Sequence, residues 1–191
     1  MFKLLQWAIC LLLISTSAYS QTADERLAEI KGLWQTNADG FLQYKKTIEL
    51  PGFPKELIYE RAKEYYQARL YEKLDEKVAG AVIVLGGAGI LKDVQVSNTG
   101  GITSTVDATH LLHVWAVDGK AELVITCIQY IFQIGSGSDA GYDEVLISNL
   151  YPVNPQAPQS DKIIGAFYGT TRSATARLEQ IEKLLKAPLT K

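Results

Sequence analysis

The sequence predicts an α+β fold in which two helices lie on one face of an antiparallel sheet, in the order strand, helix, four strands, helix. Three observations point there. Residues 41–50 and much of the tract from Val78 to Phe132 carry strand patterning interrupted by glycine-containing turns. Two segments, near 55–72 and 173–187, each carry a single apolar stripe. No strand–helix alternation of the kind that builds parallel sheets occurs. A helix with one stripe needs one partner surface, so both helices should share one side of the sheet.

The elements follow in order. Leu27, Ile30, Leu33 and Trp34 stand at helical spacing between Thr22 and Gln35, predicting a short peripheral helix in an N-terminal segment spanning 21–40. From Phe41 to Leu50 the apolar positions Leu42, Tyr44, Ile48 and Leu50 alternate with Gln43, Lys45, Thr47 and Glu49, the signature of a half-buried strand. Pro51-Gly52-Phe53-Pro54 ends it, because proline cannot donate to a ladder, and Pro54 suits the start of a helix. Across Lys55 to Glu72, Ile58, Ala62, Tyr65, Tyr66 and Leu70 form the stripe, with Glu56, Glu60, Arg61, Lys63, Glu64 and Arg69 toward water.

Val78 to Leu85 and Ile90 to Val96 read as two strands, with Gly86-Gly87-Ala88-Gly89 as the turn of a hairpin, and the Gly-, Ser- and Thr-rich stretch 97–109 reads as a loop. His110 to Val117 and Ala121 to Phe132 are strands joined at Asp118-Gly119, where glycine supplies positive φ. Residues 135–159 read as a long irregular loop with a short strand near Glu144 to Ile147. The last helix, from about Ser173 to Ala187, repeats Ala174, Leu178, Ile181 and Leu185 and ends at Pro188.

The first twenty residues have another character. Lys3 precedes an apolar run from Leu4 to Ile14 that is too short to span a bilayer, and Ala18-Tyr19-Ser20 places small residues at a cleavage point before Gln21. Residues 1–20 therefore read as a signal peptide, and residues 41–188 as a single α+β domain, exported to the periplasm or cell surface. Cys10 lies inside the apolar run instead of ending it, which argues against lipid attachment there. Cleavage leaves Cys127 as the sole cysteine, so no intramolecular disulfide can form, and its neighbours Ile125 and Ile128 favour a buried thiol.

The net charge is −2 with both signs interspersed, which carries no electrostatic footprint for nucleic acid. After the leader no long apolar run or basic amphipathic face follows, so no membrane insertion is expected.

Ile48-Glu49-Leu50-Pro51-Gly52, then Lys55-Glu56-Leu57-Ile58-Tyr59-Glu60-Arg61-Ala62, and later Asp118-Gly119-Lys120 give the chain its family likeness. Over roughly Leu42 to Phe132 it resembles a family of secreted bacterial proteins carrying a domain of unknown function with a TBP-like fold. The resemblance implies that fold and no catalytic residues. It does not imply DNA binding, because function lives in sites and not in connectivity.

Candidate chemistry is sparse. Gly86-Gly87-Ala88-Gly89 fails both phosphate-loop patterns, since Lys92 replaces the third glycine of the dinucleotide fingerprint and no Lys-Ser or Lys-Thr follows. His110 and His113 have odd spacing, which sends them to opposite faces of a strand and away from a shared metal. Asp139, Asp143 and Glu144 lack the spacing of a calcium loop. No cofactor or metal site is expected.

Both faces of the strands 110–132 are apolar, and helices can cover only one. The second face, represented by Trp115, His113, Tyr130 and Val124, is the candidate interaction surface, for an unknown protein or envelope component or for self-association. The expectation is an exported, non-enzymatic binding protein. Its alternatives are an envelope enzyme with an unrecognised site and a small-molecule or lipid carrier with a cavity between sheet and helices.

Overall fold

The computed structural model describes residues 21–69, 71–135, 141–151, 153 and 160–188; residues 1–20, read above as a signal peptide, Leu70 and Asp139 lie outside them. Among the described residues, the strands are β1 Gln35–Thr36, β2 Leu42–Glu49, β3 Glu72–Ala79, β4 Val82–Thr99, β5 Ile102–Val117, β6 Lys120–Ile134 and β7 Gly141–Leu146. They form one sheet in the order β1-β2-β6-β5-β4-β3, every pairing antiparallel, with β7 joining β6 beyond the end of β2. The helices are α1 Ala23–Glu29, α2 Lys55–Ala68 and α3 Ser160–Leu185, and a 3-10 turn spans Ile147–Asn149. This is an α+β fold built on an antiparallel sheet.

Period-two patterning sets the two faces. On the inner face, Leu112, Val114 and Ala116 of β5 sit opposite Ile125, Leu123 and Ala121 of β6, and all six are buried. Tyr44 and Ile48 extend this layer onto β2. Helix α2 covers it with Ile58, Ala62 and Tyr66, and α3 with Phe167, Ala174, Leu178 and Ile181. Removing these apolar surfaces from water, at about 25 cal/mol per Å², is the main force holding the helices down. Hydrogen bonds then fix their positions. The Tyr66 hydroxyl donates to the Leu112 carbonyl at 2.8 Å, and the Tyr44 and Thr171 hydroxyls meet at 3.1 Å.

The expected hairpin turn at Gly86-Gly89 is absent. These residues lie inside β4, which runs unbroken for 18 residues and turns only at Gly100-Gly101, where both φ angles are positive (60° and 82°). Residues 102–109, expected as loop, are the first half of β5. The glycines provide room instead. A Cβ on Gly86 would stand 2.9 Å from the His113 ring, and one on Gly89 would stand 2.8 Å from the Tyr71 ring. The second helix stops at Ala68, and Glu72 begins β3, so five strands separate α2 from α3 instead of four.

Helix α3 begins at Ser160, well before the expected Ser173. Gly165, Gly169, Thr170 and Thr171 lower helix propensity in its first half and conceal the period. Their reason is tertiary: α3 crosses β4 so closely that a Cβ on Gly169 would overlap the Val94 carbonyl oxygen. Arg61, expected in water, is 8% exposed; its guanidinium stacks on Phe53 and donates to the Leu185 carbonyl at the end of α3. Lys46, which interrupts the apolar alternation of β2, pairs with Glu182 of α3 at 2.5 Å.

The three motifs that carry the family likeness meet in one corner. Leu50 donates its N–H to the Gly119 carbonyl at 2.8 Å, Gly119 donates to the Phe53 carbonyl at 2.8 Å, and the Asp118 carboxylate accepts from the N–H of Lys55 at 2.8 Å. Pro54 at the N-cap has no side-chain oxygen to offer, so the turn between β5 and β6 caps α2 in its place.

Candidate functional site

The outer sheet face is set by the residues opposite in parity to the core. His113 and Trp115 stand two residues apart on β5 with ring centroids 5.3 Å apart, both half-buried. Val124 sits directly across from His113 on β6 but is only 4% exposed, so it supports the pair without being presented to solvent. Val82, Val117, Lys120 and Glu122 border a shallow concavity beside Trp115, and Asp75, Gly86 and Val84 border another beside His113. Burial lowers the His113 pKa, against the opposing pull of the Asp75 carboxylate.

Tyr130 does not join them. Ladder pairing steps from Thr109–Gln129 to His110–Cys127, so Ile128 is an extra residue in β6. This bulge reverses the alternation: Cys127 faces the helices and so does Tyr130, which is fully buried with its hydroxyl 3.2 Å from that of Tyr151. The four residues expected on one face thus divide into an adjacent pair, a buried neighbour and a core tyrosine.

A second constellation lies beside the bulge. His110, 1% exposed, places Nε2 at 2.9 Å from the Tyr71 hydroxyl, and Arg177 of α3 donates to the same hydroxyl at 3.0 Å. A guanidinium can only donate, so the tyrosine oxygen accepts from Arg177 and shares a second hydrogen bond with His110. His110 Nδ1 has no well-formed hydrogen bond. Burial first, and then the positive charge of Arg177, push the His110 pKa down to about 3. Burial raises the Tyr71 phenol to about 12 despite Arg177.

These groups line a cleft of about 790 Å³ together with Arg69, Glu72 and the central parts of β4, β5 and β6. Pairing of β3 with β4 ends at Glu72–Ala88, which leaves the β4 edge from Gly89 onward without a strand partner. Ile90 and Leu111, 41% and 38% exposed, alternate with Gly89 and His110 along their strands, so their side chains stand on the outer face.

Spacing alone separated His110 from His113. It did not bring Tyr71, Arg69 and Arg177 to His110, because their convergence depends on how α3 crosses the sheet. The usable clue was Gly89, a strand glycine whose missing side chain admits a ring.

The remaining reactive groups are held in structural positions. Cys127 is fully buried, and burial raises its thiol pKa well above the ordinary range. Asp143 and Glu144 lie on β7, where Glu144 accepts from Gln129 at 2.9 Å. Among the described residues no group of three or more His, Cys, Asp and Glu side chains is placed to hold a metal, and no helix is long and apolar enough to cross a membrane.

Known structures share this architecture. A DUF4468 family protein from Bacteroides ovatus superposes with a TM-score of 0.53 at 13% identity, covering 84% of this chain and 95% of its own. A TBP-like protein from Parabacteroides distasonis gives 0.51 at 8% identity, covering 77% of this chain and 96% of its own. The fold is therefore TBP-like, as the sequence resemblance implied. No protein-family model matches the chain, and no curated protein does so.

Proposed function

We propose that the chain is an exported, non-enzymatic binding protein of the cell envelope and that the outer sheet face receives a protein partner. The observation that carries this reading is the His113–Trp115 pair, half-buried between two shallow concavities on a face where no described helix lies. Tryptophan is among the residue types enriched at the energetic centre of protein interfaces. The groups best suited to nucleophilic or acid–base work support the non-enzymatic side of the reading, since His110 and Cys127 are both sealed in the core. Export rests on the tripartite leader at 1–20.

Two experiments test it. Intact-mass analysis of protein from a periplasmic fraction should give a chain beginning at Gln21; a chain retaining Met1 in the cytosol would overturn export. A photo-crosslinking residue at position 115, compared with one at exposed Arg172 on α3, should give a discrete adduct in intact cells only at 115. Equal labelling at both positions would remove the sheet face as the site, and an adduct of twice the chain mass would make the partner a second copy.

A further inference from the structure

Two guanidiniums converge where α2 ends against α3, and no carboxylate bridges to either. Arg69, at the C-cap of α2, donates to the Gln180 side chain at 3.1 Å. Arg177, one helical turn before Gln180 on α3, donates to the Tyr71 hydroxyl at 3.0 Å. Among the described residues neither arginine forms an ion pair. Glu72 lines the same cleft, but it pairs opposite Ala88, whose partner on β5 is the outer-face Leu111, so its carboxylate belongs to the other side of the sheet. Tyr71 and His110 stand on the helix side with the arginines, since the Tyr71 ring fills the space that a Gly89 side chain would take and Gly89 pairs with His110.

The cations are held in place. Arg177 lies over the Tyr71 ring at 5.9 Å, and Arg69 lies over the Tyr65 ring at 5.9 Å. An arginine fixed this way loses less side-chain freedom on binding an anion than a free one. The Tyr65 hydroxyl is buried without a hydrogen-bond partner in the field of both guanidiniums, Arg177 the stronger. Such orphan hydroxyls are rare, and this one adds a donor to a corner already rich in them. The opposing influence is the end of α2, which carries about half a negative charge against the two full positive charges of the arginines.

We propose that this corner binds a phosphate group, as the inorganic ion or on a small phosphorylated molecule, with Arg69 and Arg177 both donating to its oxygens. Each guanidinium has most of its donors open, and a phosphate group brings roughly two negative charges and about three acceptor oxygens to meet them, more than a carboxylate offers. The site lies entirely on the helix side of the sheet and does not depend on the partner-binding face.

Two-dimensional amide NMR of the isotope-labelled chain tests the proposal, with inorganic phosphate, glycerol phosphate, acetate and chloride added at matched ionic strength. Phosphate should shift the amides around Arg69, Tyr71 and Arg177 saturably, with acetate at least about tenfold weaker. Glycerol phosphate binding more tightly than phosphate would identify a phosphorylated molecule as the ligand, and equal binding would identify the phosphate group alone. Arg177→Gln and Arg69→Gln should each weaken phosphate at least about fivefold. Arg69 is exposed, so its variant keeps the test valid should Arg177→Gln unfold the chain. Absence of saturable shifts at these residues, an equal response to acetate or chloride, or unchanged affinity in Arg69→Gln would overturn the proposal. None of these results bears on crosslinking at position 115.

Discussion

Asp118 caps a helix that begins 63 residues before it: its carboxylate accepts the Lys55 N–H at 2.8 Å. Helix α2 starts with proline at its N-cap and therefore lacks a local side-chain acceptor. The carboxylate also places negative charge at the positive end of the helix. A hairpin turn and a helix start thereby become one structural unit. Asp118→Ala should lower unfolding free energy by about 1–2 kcal/mol, and Asp118→Asn by less, since the amide oxygen still accepts. Urea unfolding monitored by circular dichroism measures both.

Two glycines of α3 should respond oppositely to the same change. A Cβ on Gly169 would overlap the backbone of Val94, where the β4–β5 register shifts between Leu91 and Gln95, and backbone cannot swing aside as a side chain can, so Gly169→Ala should cost at least about 3 kcal/mol. At Gly165 the obstacle is the end of the Gln95 side chain, which can swing away. Gly165→Ala should then lie within about 1 kcal/mol of wild type, because alanine's helix propensity offsets the adjustment. Thermal melts of the two variants separate these outcomes.

His110 should make the protein acid-sensitive. Its folded pKa of about 3 lies below the ordinary 6.5, so the unfolded chain binds the proton more readily between those values. Stability from this group is full above about pH 6.5 and falls as pH drops toward 3. The unfolding free energy of wild type should therefore decline more than that of His110→Gln, by roughly 3 kcal/mol at pH 4. Denaturant titrations at pH 7 and pH 4 give the difference directly, and contributions shared by both proteins, such as that of His113, cancel.

Cys127 should be silent toward thiol reagents while the protein is folded. It is fully buried and its thiol is held protonated by that burial. Site-resolved mass spectrometry after brief alkylation should show modification at Cys127 only above the denaturant midpoint; rapid labelling in native buffer would place the thiol outside the core.

Much of the architecture was legible from residue order alone. Alternation in 41–50, the Asp118-Gly119 turn, the single stripe of α2 and the odd spacing of His110 and His113 all report local geometry, which neighbouring residues in the chain encode directly. Tertiary structure decided the rest. Gly86 and Gly89 looked like a turn because glycine permits one, yet they serve to admit the rings of His113 and Tyr71 from elsewhere in the chain. The first half of α3 hid behind Gly165 and Gly169 because close approach to β4 outweighed helix propensity there. Tyr130 changed faces because one extra residue at Ile128 reverses a period of two. Arg69 and Arg177 reached one cleft only through helix placement, since contacts between residues far apart in sequence are fixed by packing and leave no periodic trace along the chain.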